Sequence, residues 1–253
     1  MKTKAIIQAR TGSTRLPRKV LLAIMGKPVL EYVIERVRRA KNIKGVIVAT
    51  TDSKEDMTIT DIAAKLDTEV YRGSEDDVLD RFYQAAKKFD AGHIVRITAD
   101  CPLIDSAVID SVVNLYKKSG ADYCSNVLEP TFPDGEDVEV FSFNALRDAW
   151  KNAGLRSERE HVTPYMTKHP ERFKLAGLRN DSDLSAKRWT LDKEKDFQFI
   201  KAVLESLYPA NPAFTMKDIL QFINEHPGIE NINKDIPRNE GYQKSLKEDS
   251  RIK

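Results

Sequence analysis

Between residue 4 and about residue 120 the chain alternates short β-branched runs with helical patterns. That alternation limits the folds open to it more than any other feature. KAIIQA, GVIVAT, EVYR and HIVRITA read as strands, and PVLEYVIERVRRAK, MTITDIAAKL, DDVLDRFYQAAKKF and AVIDSVVNLYKKSG read as helices. Val29, Leu30, Val33, Ile34 and Val37 recur at three- and four-residue steps, which makes one apolar stripe on the first helix. Strands separated by helical crossovers become parallel neighbours with right-handed connections and helices covering the sheet. The expected fold is therefore α/β, with a doubly wound, mostly parallel sheet.

After ADYCSN the pattern loosens into VLEPTFPDGEDVEVFSF, a segment punctuated by Pro and Gly that carries five acidic residues. Helical patterns follow near 143–153 and 158–168, then a strand in FKLAGL, a strand-like RWTLD, and helices over 194–207 and 216–225. The expected organisation is one domain over residues 1–230, with a loop-rich insertion at about 126–170, a usual place for substrate contacts. The polar residues 231–253 are expected to form an extended or partly disordered tail.

Charge is balanced, with 41 Lys+Arg against 39 Asp+Glu, so a broad electrostatic footprint for nucleic acid is excluded and local clustering carries the information. Cys101 and Cys124 lack CxxC spacing and read as reduced thiols. No run approaches the roughly 18 apolar residues of a membrane span, and the N-terminal apolar stretch is too short for an export signal. A soluble, cytoplasmic protein with no membrane partner is expected.

The densest local cluster lies in IIQARTGSTRLPRKVL, where Arg10, Arg15, Arg18 and Lys19 crowd one loop directly after the first strand. Ligands of parallel α/β sheets gather at the carboxyl ends of the strands. Gly12 and Ser13 let backbone N–H groups approach a ligand there, and the cations suit a polyphosphate. A solvated basic loop with Pro17 at a turn is the competing reading. The loop is neither a GxxxxGK[ST] phosphate loop nor a GxGxxG dinucleotide loop.

Two aspartates bear on the choice. Asp100 closes the strand in VRITADCPLID and faces the same rim. It is a hard oxygen ligand suited to Mg²⁺, which takes one or two protein carboxylates and completes its shell with water and phosphate. Asp192, in RWTLDKEKDFQFI, is the candidate second ligand. A helix N-cap is the alternative role for it.

Five blocks, IIQARTGSTRLPRKVL, RITADCPLID, EPTFPDGEDVEVFSFNAL, SEREHVTPY and RWTLDKEKDFQFI, together resemble the cytidylyltransferase family of CMP-sugar synthetases, which includes the Kdo and acylneuraminate enzymes. The nearest branch is that of the spore-coat polysaccharide biosynthesis proteins. The resemblance runs from residue 4 to about 205. It implies a Rossmann-like nucleotidyltransferase fold of the glycosyltransferase-A type, a CTP substrate, a Mg²⁺ cofactor, a small-molecule acceptor and, from the relatives, a homodimer.

Matched residue by residue, the resemblance places Arg10, Arg15 and Lys19 as catalytic cations on the triphosphate loop. Gln8, Ala9, Gly12 and Ser13 fall beside the nucleotide, as do Arg72, Ser74, Asp80 and Arg81, although an N-capped amphipathic helix accounts for much of RGSEDDVLDRFY. Asp100 and Asp192 become the metal ligands. The acceptor is expected over Asp137 and Glu139, which share a face if the segment is a strand, and over Arg159, Glu160 and His161.

Two departures stand out. Arg18 occupies the place of the usual glycine in LPGK, so it either leans outward or changes how the loop closes. TADCP replaces the Gln-Gly-Asp-Glu-Pro run of the Kdo enzymes. The implied reaction is transfer of CMP from CTP to a sugar acid or related acceptor with release of pyrophosphate, in surface polysaccharide biosynthesis. A glycosyltransferase using a nucleotide sugar and a silent nucleotide-binding protein are the alternatives.

Overall fold

The computed structural model describes residues 2–238 and 240–251. The chain opens with β1 (Thr3–Gln8), passes through a 3₁₀ turn at Lys19–Leu21 and a small hairpin of β2 (Ala23–Ile24) and β3 (Lys27–Pro28), and enters α1 (Val29–Arg38). β4 (Val46–Thr51), α2 (Met57–Lys65), β5 (Glu69–Gly73), α3 (Val78–Lys88), β6 (His93–Thr98) and α4 (Ser106–Ser119) continue the alternation. β7 (Tyr123–Ser125), β8 (Glu139–Ser142), α5 (Phe143–Asn152), α6 (Arg156–His161), α7 (Pro164–Lys168) and β9 (Leu175–Gly177) build the second half. Four helices close the chain: α8 (Glu194–Leu207), α9 (Met216–Glu225), α10 (Pro227–Glu230) and α11 (Glu240–Lys247).

The main sheet has seven strands in the order β5-β4-β1-β6-β8-β7-β9. β5, β4, β1 and β6 run parallel, β8 is antiparallel to both its neighbours, and β7 pairs parallel with β9. The chain moves outward from β1 through β4 to β5, then returns to place β6 on the other side of β1. A crevice opens where the strand order reverses. The register sets Gln8 beside Thr98 at the carboxyl ends of β1 and β6, and this is where the site forms.

Strand alternation divides the core in two. Ala5, Ile7, Val48, Val95 and Ile97 pack against α1, α2 and α4, while Ile6, Ile47, Ala49 and Ile94 face α3, α5 and α7. The expected stripe on α1 is fully buried at all five positions. Burial contributes about 1.5–3 kcal/mol for each such side chain. A third cluster, with Trp189, Leu191, Phe199, Ile200, Val203 and Phe214, seats α8 and α9 against the β2–β3 hairpin.

Three expectations need correcting. The helix expected over 158–168 is broken into α6 and α7, because Val162 takes φ 72° and Pro164 can only begin a new helix. RWTLD adds no strand to the sheet. Its strand-type pairing with the insertion is one isolated parallel bridge, Asp134 to Arg188, with Trp189 N donating to Asp134 O at 2.6 Å. The C-terminal segment expected to be extended contains α11, packed against α6.

Candidate active site

The basic loop is pinned before any ligand arrives. Thr11 donates from its backbone N and its Oγ1 to Asp56 Oδ1, at 2.8 and 2.6 Å, and Thr51 Oγ1 donates to Asp56 Oδ2 at 2.5 Å. Burial pushes the Asp56 carboxyl up, but the hydrogen bonds from Thr11 and Thr51 outweigh it and hold the group below the ordinary aspartate value. Within the loop, Ser13 N and Arg18 N both donate to Thr11 O. Arg18 itself is exposed and left-handed, with φ 57° and ψ 26°. That conformation explains why glycine suits this place, and Arg18 keeps the turn by leaning outward.

The turn delivers Lys19 to the switch point. Lys19 Nζ donates to Asp100 Oδ2 and to Asp192 Oδ1, each at 2.6 Å, and Arg15 Nη2 reaches Asp192 Oδ2 at 2.9 Å. Burial works to lower the Lys19 pKa, yet the two carboxylates outweigh it and raise the value, so the ammonium stays charged. Burial likewise pushes Asp100 up, and Lys19 brings it below the usual carboxylate range.

Asp192 does not cap α8. Asp196 does that work, its Oδ2 accepting from Asp192 N at 3.0 Å and from Lys193 N at 2.9 Å. Asp196 is wholly buried and also takes both arms of the Arg188 fork, at 2.9 and 3.0 Å, plus Asn233 Nδ2 at 2.9 Å. The side chain of Asp192 is thus left to face the cleft.

The cleft has two halves, of about 440 and 510 Å³, within the usual range of ligand sites. They meet at Gln8, Arg15, Thr98 and Asp100. Arg10, Gly12, Ser13, Lys19 and Arg81 line the first half, and Ala9 lies at its floor. The buried Arg81 donates to Ser74 O at 2.6 Å, and burial first, then the neighbouring Arg10, pull its pKa down to about 10. The first half is accordingly an anion cradle.

The second half has a different chemistry. Asp137 accepts from Arg238 Nη2 at 2.7 Å, and burial, against the pull of Arg238, raises its carboxyl to about 7. Asp137 precedes β8, so the shared strand face expected for Asp137 and Glu139 is absent. Glu139 accepts from Tyr123 OH at 2.7 Å and Thr163 Oγ1 at 2.6 Å and pairs with Arg96. Asp134, Arg188 and Thr190 complete a wall of hydrogen-bonding groups. His161 lies on both halves and Glu160 on the first. Burial, followed by Arg96, lowers His161 to about 4, so its imidazole is neutral.

Four expected residues lie behind the walls and line neither half. Arg72 donates to Thr51 O and Ser53 O, Ser74 Oγ accepts from Asp77 N, and Asp80 Oδ1 accepts from Trp150 Nε1. Arg159 forks onto Asp77 and reaches Trp150 O at 2.7 Å. Their side chains tie strand ends and helices together. Sequence reasoning missed Asp56, Asp134, Arg188, Asp196 and Arg238. Only Asp196 carried a local signal, as the acid at the third position of α8, where a capping-box partner sits.

The cytidylyltransferase family profile matches residues 4–224. The chain belongs to the cytidylyltransferase family. This cytidylyltransferase is 41% identical over 240 residues to the uncharacterized protein MJ1063 of Methanocaldococcus jannaschii, covering 93% of this chain and 96% of that one. It is 31% identical over 229 residues to the spore coat polysaccharide biosynthesis protein SpsF of Bacillus subtilis, covering 88% and 94%. A solved cytidylyltransferase from Leptospira borgpetersenii superposes with a TM-score of 0.86 at 35% identity, over 91% of this chain and 97% of that one. The cytidylyltransferase is therefore a CTP-dependent nucleotidyltransferase on a mostly parallel α/β sheet.

Proposed function

We propose that the enzyme transfers CMP from CTP to a sugar acid and releases pyrophosphate, with CTP in the cationic half of the cleft and the acceptor in the half lined by Asp137 and Glu139. The observation that carries this reading is the position of Lys19, whose ammonium joins Asp100 to Asp192 where the two halves meet. An acceptor oxygen attacks the α-phosphorus and forms the new P–O bond. The bond from that phosphorus to the bridging oxygen breaks, its electron pair leaves on pyrophosphate, and the acceptor's proton passes to solvent.

The negative charge that builds on the leaving oxygens falls among Lys19, Arg10 and Arg15, and fixed cations there stabilise the transition state without reorganising. Gln8, Ala9, Gly12, Ser13 and Arg81 border the nucleotide. Arg72, Ser74 and Asp80 contribute through the scaffold. Across the junction, carboxylates and hydroxyls suit the hydroxyl groups of a sugar, and Arg188 and Arg238 keep the acidic wall from accumulating charge. Glu160 borders the nucleotide half and His161 both halves, and Arg159 holds their helix to Asp77 and Trp150.

Asp100 and Asp192 are hard oxygen donors that meet at Lys19, with Arg15 on Asp192, and no group of three or more His, Cys, Asp or Glu that could hold a metal ion exists among the described residues. That donor set fits Mg²⁺, which completes its octahedron with water and substrate phosphates. Bound by these two aspartates, Mg²⁺ would neutralise phosphate charge at the reacting centre.

The pathway proposed is surface polysaccharide biosynthesis, in the cytoplasm, by a homodimer. No described helix is long and apolar enough to cross a membrane. Sedimentation velocity tests the dimer. The reaction is tested by pyrophosphate release from CTP, UTP, ATP and GTP with Mg²⁺, against Kdo, N-acetylneuraminate and a set of phosphosugars. Release that needs both CTP and a sugar acid supports the proposal. Turnover of UDP-sugars without CTP turnover would replace it with a glycosyltransferase, and CTP binding without turnover of any acceptor would replace it with a silent nucleotide binder.

A further inference from the structure

The family profile ends at residue 224, yet the chain beyond it returns to the cleft. Residues 237–238 and 240–251 are tied to both of its sides. On one, Pro237 O accepts from Arg188 Nη1 at 3.2 Å, Arg238 Nη1 donates to Phe132 O at 3.1 Å, and Glu240 pairs with Lys193 at 2.8 Å. On the other, Asp249 accepts from Ser157 N and Oγ at 3.1 and 2.8 Å, Ser250 O accepts from Arg156 N at 2.9 Å, and Arg251 bridges to Leu155. A polar segment fastened at two ends across a cavity is a clasp.

Between those ties α11 forms wall rather than cover. Gly241 lines both halves of the cleft, and Ser245 lines the nucleotide half. A Cβ at position 241 would stand 3.4 Å from both Nη atoms of Arg15, an ordinary contact, so α11 lies directly against the arginine that holds Asp192 and a branched side chain there would push on it. Ser245 Oγ sits 2.9 Å from His161 Nε2 and donates to Glu160 Oε2 at 3.1 Å. With the hydroxyl proton given to Glu160, the neutral imidazole in its Nε2–H tautomer donates to a lone pair of Ser245 Oγ. Tyr242 meets the same imidazole edge-on at 5.0 Å.

We propose that the C-terminal clasp is an integral wall of the CTP site, in which α11 packs against Arg15 at Gly241 and Ser245 is a positioning residue for His161 and Glu160. The inference rests on the assignment of CTP to the cationic half and deepens it. α11 flanks the nucleotide as part of that wall, and CTP binding adds contacts that steady it.

The full-length chain with CTP and Mg²⁺ tests this by titration calorimetry and by hydrogen exchange of peptides spanning 240–251. Exchange in those peptides is expected to slow when CTP binds. Gly241→Val is expected to weaken CTP binding about tenfold, Ser245→Ala about three- to tenfold, and Ser245→Thr is expected to restore most of the loss. Unchanged or tighter binding in Gly241→Val and Ser245→Ala, with clasp exchange indifferent to CTP, would overturn the proposal while leaving the CTP assignment standing. Failure of the unaltered chain to bind CTP would overturn both.

Discussion

Asp100 and Asp192 accept hydrogen bonds from one nitrogen, Lys19 Nζ, at equal distances of 2.6 Å. Two carboxylates held that close repel each other unless a cation lies between them, so the ammonium both assembles the junction and keeps it ionised. In Lys19→Met the bridge is lost, and pyrophosphate release is expected to fall about a hundredfold or more, equivalent to about 3 kcal/mol in the barrier. Circular dichroism should show an unchanged fold. Near-normal turnover by the folded variant would remove Lys19 from the mechanism.

Asp196 never faces the cleft, yet five hydrogen bonds converge on it from Arg188, Asn233 and the backbone of Asp192 and Lys193. Asp196→Ala leaves the buried Arg188 guanidinium without its fork partner. A loss of about 3–5 kcal/mol in unfolding free energy is expected, measured by urea denaturation. A variant within 1 kcal/mol of the parent would mean that Arg188 finds full compensation in Asp134.

Arg18 holds a left-handed conformation that costs an L residue about 1–2 kcal/mol. Glycine removes that strain and gives back part of it through the freer unfolded chain. Arg18→Gly is expected to stabilise the protein by about 0.5–1 kcal/mol, seen as a higher melting temperature, with kcat little changed because the arginine points to solvent. A lower melting temperature would show that the exposed guanidinium makes up for the strain.

Burial raises Asp137 to about 7, opposed by Arg238 and reinforced by Asp134, Glu139 and Asp100. Between the ordinary aspartate value of 3.8 and about 7 the folded chain therefore binds a proton that the unfolded chain has released. Across that window this group lowers stability as pH rises. Asp137→Asn removes the linkage. The stability of the variant relative to the parent should climb from pH 4 to pH 7 and level off above, and a difference that stays flat with pH would contradict the assignment.

Much of this architecture is written locally. β1 and β4 are short apolar runs of the kind that a sheet covered on both faces requires, and the stripe on α1 is a pattern of period 3.6 that reports its buried face. Helices over 194–207 and 216–225 were legible for the same reason. The basic loop was legible too, because its cations are neighbours in the chain and follow a strand whose end must face the ligand edge.

Other features depended on partners distant in sequence. Nothing near Arg72 or Arg159 says that strand-end carbonyls and Asp77 would occupy their guanidinium groups, and although Asp196 stands at a capping-box position, nothing near Asp192 says that its own carboxylate would go to Lys19. The tail offered too little apolar periodicity to read, since polar contacts with α6 and Lys193 hold it in place. The sequence by itself determined the layered α/β plan and the chemistry of each short motif, because both arise between residues a few positions apart. Only the tertiary structure decided which charges meet, because an ion pair depends on distance in space and the fold alone sets that distance.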